Sequence, residues 1–192
     1  MPRGLEYLKF HCTGCGNCCR EPLLPLTDDD VARVSEETGE LAPEIVRWVD
    51  RNGIQMDEEP EAFVRLRQGK RVMVMRQGRG GCRYLGPDDR CRIYSSRPLG
   101  CRIFPFNPTF SATGALKRLY LAEITECPYE LNGKNSVAAM RTLYGRYDDK
   151  RTEYHQKVAE WNRSQLARRR QGKAEQTAKA FLQFLGLPTG AP

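Results

Sequence analysis

Four of the eight cysteines in this chain fall within eight residues, in the run C-T-G-C-G-N-C-C-R from Cys12 to Arg20. No other feature constrains the fold as strongly. Gly14 and Gly16 free the backbone to curl around something, and nothing in the run predicts helix. A C-x2-C step lets two thiolates converge on one centre while the intervening N–H groups point at the sulfurs. Two such steps in series, Cys12-Cys15-Cys18, give the three-point grip that bacterial ferredoxins place on an iron–sulfur cluster, where a remote Cys followed by Pro often completes the set. Cys127-Pro128 has that local form.

The opening stretch M-P-R-G-L-E-Y-L-K-F-H-C has no apolar h-region, so no secretory signal is expected. No apolar run approaches the roughly 18 residues of a membrane span. A cytoplasmic location is therefore expected. Thiols stay reduced there, so the cysteines read as ligands rather than disulfides. Cys18 and Cys19 are adjacent, and adjacent side chains in a looped backbone point apart. They are expected to serve two centres, or two metals of one cluster, with Cys82, Cys91, Cys101 and Cys127 supplying the other thiolates. Eight ligands divide into two sets of four, with the membership of each set left open.

Structural zinc sites usually draw on two C-x2-C knuckles, and here only the N-terminal half has them. That favours iron–sulfur clusters over zinc as the cofactor. Cys127, farthest from the others in sequence, is expected to be the most dispensable ligand. Arg20, Arg83, Arg90, Arg92 and Arg102 each adjoin a cysteine. They could balance thiolate charge, grip an anionic substrate or a partner's carboxylate, or simply reflect an Arg-rich chain. His11 could replace a thiolate. Asp28-Asp29-Asp30 reads as the acidic start of a helix rather than a hard-cation site. No Ser-His-Asp set or Cys-His pair stands out, and no catalytic residue is assigned.

C-T-G-C-G-N-C-C followed by C-R-I-Y-S-S-R-P-L-G-C-R-I-F-P resembles the CxxCxxCC cysteine-cluster family, the YkgJ-type zinc- or iron-chelating domain. The resemblance covers roughly residues 10–130. It rests on Cys12, Cys15, Cys18, Cys19, Cys82, Cys91 and Cys101, on Arg97-Pro98 and Phe104-Pro105, and less closely on Cys127. It implies metal chelation, with iron–sulfur and zinc both open. A related cysteine cluster in flagellin lysine N-methylases implies a metal-dependent enzyme component as one alternative. This chain is shorter than those enzymes and shows no S-adenosylmethionine loop. A zinc-stabilised interaction module is the other alternative.

The patterning predicts an α+β domain. Thr27 with Asp30 forms a capping box that opens a helix closed by Gly39. Pro43 and Gly53 bracket a second helix carrying Ile45, Val46, Trp48 and Val49. Phe63–Arg67 and Arg71–Arg76 form a hairpin around Gln68-Gly69. Short strands are expected at Arg92–Tyr94 and Leu116–Ala122, with one helical turn near Ser96. A long helix from about Asn135 to Arg170 carries a 3-4 stripe of Val137, Met140, Tyr144, Tyr147, Tyr154, Val158 and Trp161, and a last helix spans Ala174–Leu185.

The net charge of +7 is uneven. Residues 1–132 carry 19 basic and 19 acidic side chains; residues 133–192 carry 12 and 5. The expected division is therefore a cysteine-cluster domain, 1–132, and a basic helical extension, 133–192. The partner is expected to be a protein or redox partner. A solvated helix accounts for the basic tail better than nucleic-acid binding, because no base-reading motif accompanies it.

Overall fold

A computed structural model of the chain describes residues 4–20, 23–54, 56, 59–122 and 126–190. In chain order come β1 (His11–Cys12), α1 (Asn17–Arg20), α2 (Asp28–Thr38), α3 (Ala42–Ile45), β2 (Val46–Val49), β3 (Val64–Leu66), β4 (Gly69–Met75), β5 (Gln77–Gly78) and β6 (Gly81–Cys82). They are followed by α4 (Leu99–Ile103), β7 (Phe106–Phe110), β8 (Leu116–Leu121), β9 (Tyr129–Glu130), α5 (Val137–Arg170) and α6 (Ala178–Phe184). The class is α+β, with small antiparallel sheets, as the patterning predicts.

These elements form two compact units built from interleaved segments: residues 1–22 with 78–148, and residues 23–77 with 149–192. The charge distribution divides the chain once, at residue 132; the fold leaves the first unit after residue 22 and returns to it at residue 78. All eight cysteines lie in the first unit. The greater part of the basic tail belongs to the second.

The second unit begins with α2, which starts and stops where its sequence dictates. Asp30 N donates to Thr27 Oγ1 at 3.2 Å and Thr27 N donates to Asp30 Oδ2 at 3.2 Å, and Gly39 ends the helix with φ +71. A cap of this kind contributes on the order of 1 kcal/mol. Arg33 pairs with Asp29 and, at 2.6 Å, with the buried Asp30, so these acids belong to the helix start.

The expected second helix lasts one turn only. After α3 the chain becomes β2, paired antiparallel with β4 from Val46↔Met75 to Val49↔Val72. β-Branched Val46 and Val49 lose less χ1 freedom in a strand, and the pairing gives their backbone groups partners. The β3–β4 hairpin forms as expected, with Leu66↔Gly69 beside its turn and Gly69 at φ +97. The sheet order is β2-β4-β3.

Residues 149–170 of α5, with α6, complete this unit's core. Val158 and Phe181 have no exposed surface. Trp161 donates from Nε1 to Arg65 O at 2.8 Å and packs on Phe181 with ring centroids 5.1 Å apart. The stripe read from the sequence is thus a packing face: Tyr154, Val158 and Trp161 are all buried. The last helix starts later than Ala174, because Thr177 Oγ1 caps Ala180 N at 3.3 Å.

In the first unit, β8 forms within Leu116–Ala122 and pairs with β7 from Phe106↔Leu121 to Phe110↔Leu116. Residues 137–148 of α5 pack here, where the Tyr144 hydroxyl donates to Phe106 O and its ring meets Phe110 at 6.5 Å. The strand expected at Arg92–Tyr94 is a series of turns held by one bridge, Leu85↔Cys91. The helical turn expected near Ser96 appears later, as α4, because Pro98 forces extended backbone on its predecessor and then caps the turn that follows.

Candidate metal centre

Two backbone seams position the cysteines. The first seam joins the N-terminal loop to the segment around Cys127. Gly133 N donates to Lys9 O at 2.7 Å and Asn135 N to Leu8 O at 2.8 Å. Asn135 Nδ2 adds bonds to Leu8 O and Phe10 O. The register continues into β1–β9, with Cys12 opposite Tyr129. Beyond the ladder, Thr13 Oγ1 donates to Pro128 O at 2.6 Å and Asn17 Nδ2 to Glu126 O at 2.5 Å. Phe10 anchors the seam, buried against Phe106 at 5.2 Å and Tyr129 at 5.5 Å. Cys127 therefore sits beside Cys12 and Cys15, which add to the rise that burial imposes on its thiol. Its separation in sequence is no guide to its place, and the expectation that it is the dispensable ligand loses its basis.

The second seam joins α1 to β6. A Cβ on Gly81 would lie 2.5 Å from Cys19 O and 2.8 Å from Arg20 Cα, and Gly81 has φ +128. Only glycine allows so close a crossing. Beyond it, Leu85 N donates to Cys82 O at 2.9 Å and Arg92 N to Tyr84 O at 2.9 Å, folding Cys91 back alongside Cys82. Cys101 lies on α4 and faces Cys82, Cys18 and Cys91.

Cys18 and Cys19 are not on a loop, as the glycines suggest, but on the single helical turn α1. Successive side chains on such a turn splay by about 100°. Here they remain within hydrogen-bonding reach of each other. The shared proton brings the Cys18 thiol down to about 7 and pushes Cys19 up. Burial raises Cys82, Cys101 and Cys127, the last to about 11. All eight cysteines are free thiols.

Most arginines next to cysteines brace the scaffold. Arg20 pairs with Asp89 and donates to Cys15 O at 2.9 Å. Arg92 donates to Arg83 O at 2.6 Å, and Arg102 to Arg97 O at 3.0 Å and to Ser95 O. Arg83 opposes part of the rise that burial imposes on Cys82. Arg97, lying over the Tyr94 ring at 4.1 Å, adds to the lowering of Cys18 and opposes part of the rise that burial imposes on Cys101. Adjacency to a cysteine, the signal read from the sequence, does not find it; only its place in the R-P-L-G-C motif does. His11 turns toward Asn132 Oδ1, 2.9 Å from Nδ1.

Among the described residues, no three Cys, His, Asp or Glu side chains are drawn tightly enough together to hold an ion. What the fold supplies is a backbone that gathers eight free thiols into one compact unit. That donor set suits soft or borderline metals, and thiolates select zinc and iron–sulfur clusters. Beside Cys127, Tyr7, Pro105, Tyr120 and Tyr129 line an open cleft of about 300 Å³. No described helix is long and apolar enough to cross a membrane.

A domain of this make-up, irregular and organised by cysteines, defines a thiol-rich chelating class. Residues 11–128 match the CxxCxxCC family, described as a "putative zinc- or iron-chelating domain", and the chain belongs to that family. It is also similar to an uncharacterised protein of Methanocaldococcus jannaschii, with 30% identity over 104 residues. The match covers 54% of this chain and 48% of that relative, so this chain spans about half of its length. No solved structure matches.

Proposed function

We propose that this chain is a cysteine-ligated metal protein whose eight thiolates hold iron–sulfur clusters and serve electron transfer with a protein partner. One observation carries the reading: the first seam sets Cys127-Pro128 against the Cys12-Cys15-Cys18 run. A ferredoxin-type grip needs that combination of three closely spaced thiolates and a remote Cys-Pro. Iron–sulfur centres supply one-electron transfer without an open coordination position. The chain's own residues bind, orient and charge-balance. Gly14 and Gly16, at φ +72 and +71, bend the loop, and Arg97 offsets thiolate charge that burial would otherwise disfavour.

Anaerobic purification with iron supplied, followed by iron, zinc and labile-sulfide analysis, tests this. The expected result is brown, oxygen-sensitive protein containing iron and sulfide. Colourless protein with stoichiometric zinc and no sulfide would replace it with a zinc-stabilised interaction module. In either case Cys15→Ser and Cys101→Ser should each lower metal content and melting temperature, because thiolate coordination can contribute on the order of 10 kcal/mol to a small domain's folding. Full metal loading and unchanged melting in both variants would remove the cysteines' ligand role.

A further inference from the structure

We propose that the eight cysteines form two four-thiolate centres, Cys12, Cys15, Cys18 and Cys127 in one, Cys19, Cys82, Cys91 and Cys101 in the other, adjoining at α1. This rests on the reading of the cysteines as metal ligands and adds which of them share a centre.

The two seams make the division. The first ties the backbone on both sides of Cys127 to the loop carrying Cys12 and Cys15, through Cys12↔Tyr129, Thr13 to Pro128 and Asn17 to Glu126. The second presses Cys19 O onto Gly81, the residue before Cys82, and the Leu85↔Cys91 bridge returns Cys91 to the same place. The side chains follow the backbone. Cys127 interacts with Cys15, Cys12 and Cys18, whereas Cys101 interacts with Cys82, Cys18 and Cys91. Cys19 interacts with Cys18 and, beyond it, with Cys82 and Cys101.

Cys18 lies near Cys82 and Cys101 as well as Cys127, so its place in the first set rests on its C-x2-C spacing from Cys15. A C-x2-C step presents two thiolates to one ion, and Cys19, although it also meets Cys18, has Cys82 and Cys101 as its other thiol neighbours. Each group then has four members, the number that closes a tetrahedral site or holds a cubane. Two such centres meeting at one turn concentrate negative charge there. Arg97 acts on Cys18 and Cys101, one member of each set.

Cadmium, which takes four thiolates without sulfide or redox chemistry, is the probe. The metal-free full-length chain is titrated anaerobically with Cd²⁺, each ion displacing thiol protons into solvent. Iodoacetamide then alkylates the unprotected cysteines, which peptide mass spectrometry locates. Two equivalents should saturate the chain, and below saturation protection should be lost or kept in the two blocks of four. Cys12→Ser and Cys91→Ser should each halve the bound cadmium. Joining these two substitutions should abolish binding, whereas Cys12→Ser with Cys127→Ser should do no more than Cys12→Ser alone. Mixed protection, such as Cys15 together with Cys82 at one equivalent, overturns the division; the wild-type map needs no substitution that could unfold the chain. A chain that takes up no cadmium, zinc or iron overturns the ligand reading itself.

Discussion

Cys18 and Cys19 show how much one turn of backbone changes thiol chemistry. The hydrogen bond from Cys19 stabilises the Cys18 thiolate more than burial opposes it, with Arg97 adding a smaller effect. In metal-free protein Cys18 should therefore be alkylated half-maximally near pH 7, well below the usual thiol range. Cys19→Ala should move that midpoint upward further than Arg97→Ala does. A pH–rate profile of Cys18 labelling, read by mass spectrometry, checks both the midpoint and the order. His155, half-buried on α5, shifts the other way from a partnered histidine. Burial lowers its pKa, with Arg151 acting in the same direction and Glu59 and Glu61 opposing. The folded state thus binds fewer protons than the unfolded one below pH 6.5, so stability falls as pH drops through that value. His155→Gln should flatten denaturation midpoints between pH 7 and 5.

At the scale of elements, the β6 crossing and the N-terminal loop use glycine for different reasons. Gly14 has φ +72 and open space around its missing Cβ, so Gly14→Ala costs left-handed strain of about 1–2 kcal/mol. Gly81 adds a collision with the backbone at Cys19 and Arg20. Gly81→Ala should lower the melting temperature of the cysteine-bearing unit by more than Gly14→Ala, and reduce metal content with it. Equal effects would show that the crossing is not tight. The change from α3 to β2 is the complementary case. Ile45 to Val49 reads as helix by spacing, yet the partner strand Val72–Met75 takes its backbone groups. Local periodicity lost to a long-range pairing.

For the whole molecule, the two interleaved units decide where the chain can be cut. Ending it at Asp148 keeps every cysteine and the α5 residues that pack on β7, including Tyr144. Metal content should survive that truncation. It removes Val158, Trp161 and Phe181 from the other unit, so residues 23–77 should become readily proteolysed. Trp161→Ala alone removes a core ring and its bond to Arg65 O, a loss of roughly 3–5 kcal/mol for a buried aromatic. Ending the chain at Lys134, where the basic tail starts, also strips Met140 and Tyr144 from the cysteine-bearing unit and should lower its metal content. Metal analysis and limited proteolysis of the two truncations separate these outcomes.

Short-range chemistry made several features legible in the sequence. The Thr27–Asp30 box, the Gly69 turn, the 3-4 stripe of α5 and the C-x2-C steps all depend on residues within a few positions of each other, so spacing alone specifies them. The family followed from the cysteine motifs for the same reason. What only the tertiary structure decided were contacts between distant segments. The β1–β9 ladder brings Cys127 to Cys12, and the crossing at Gly81 brings Cys82 to Cys19. Arg97 matters to thiols 79 positions away in Cys18 but only four away in Cys101, and its reach depends on where α4 sits. Backbone hydrogen bonds across more than 100 residues leave no period in a sequence, and here they gather the thiols that its motifs supply.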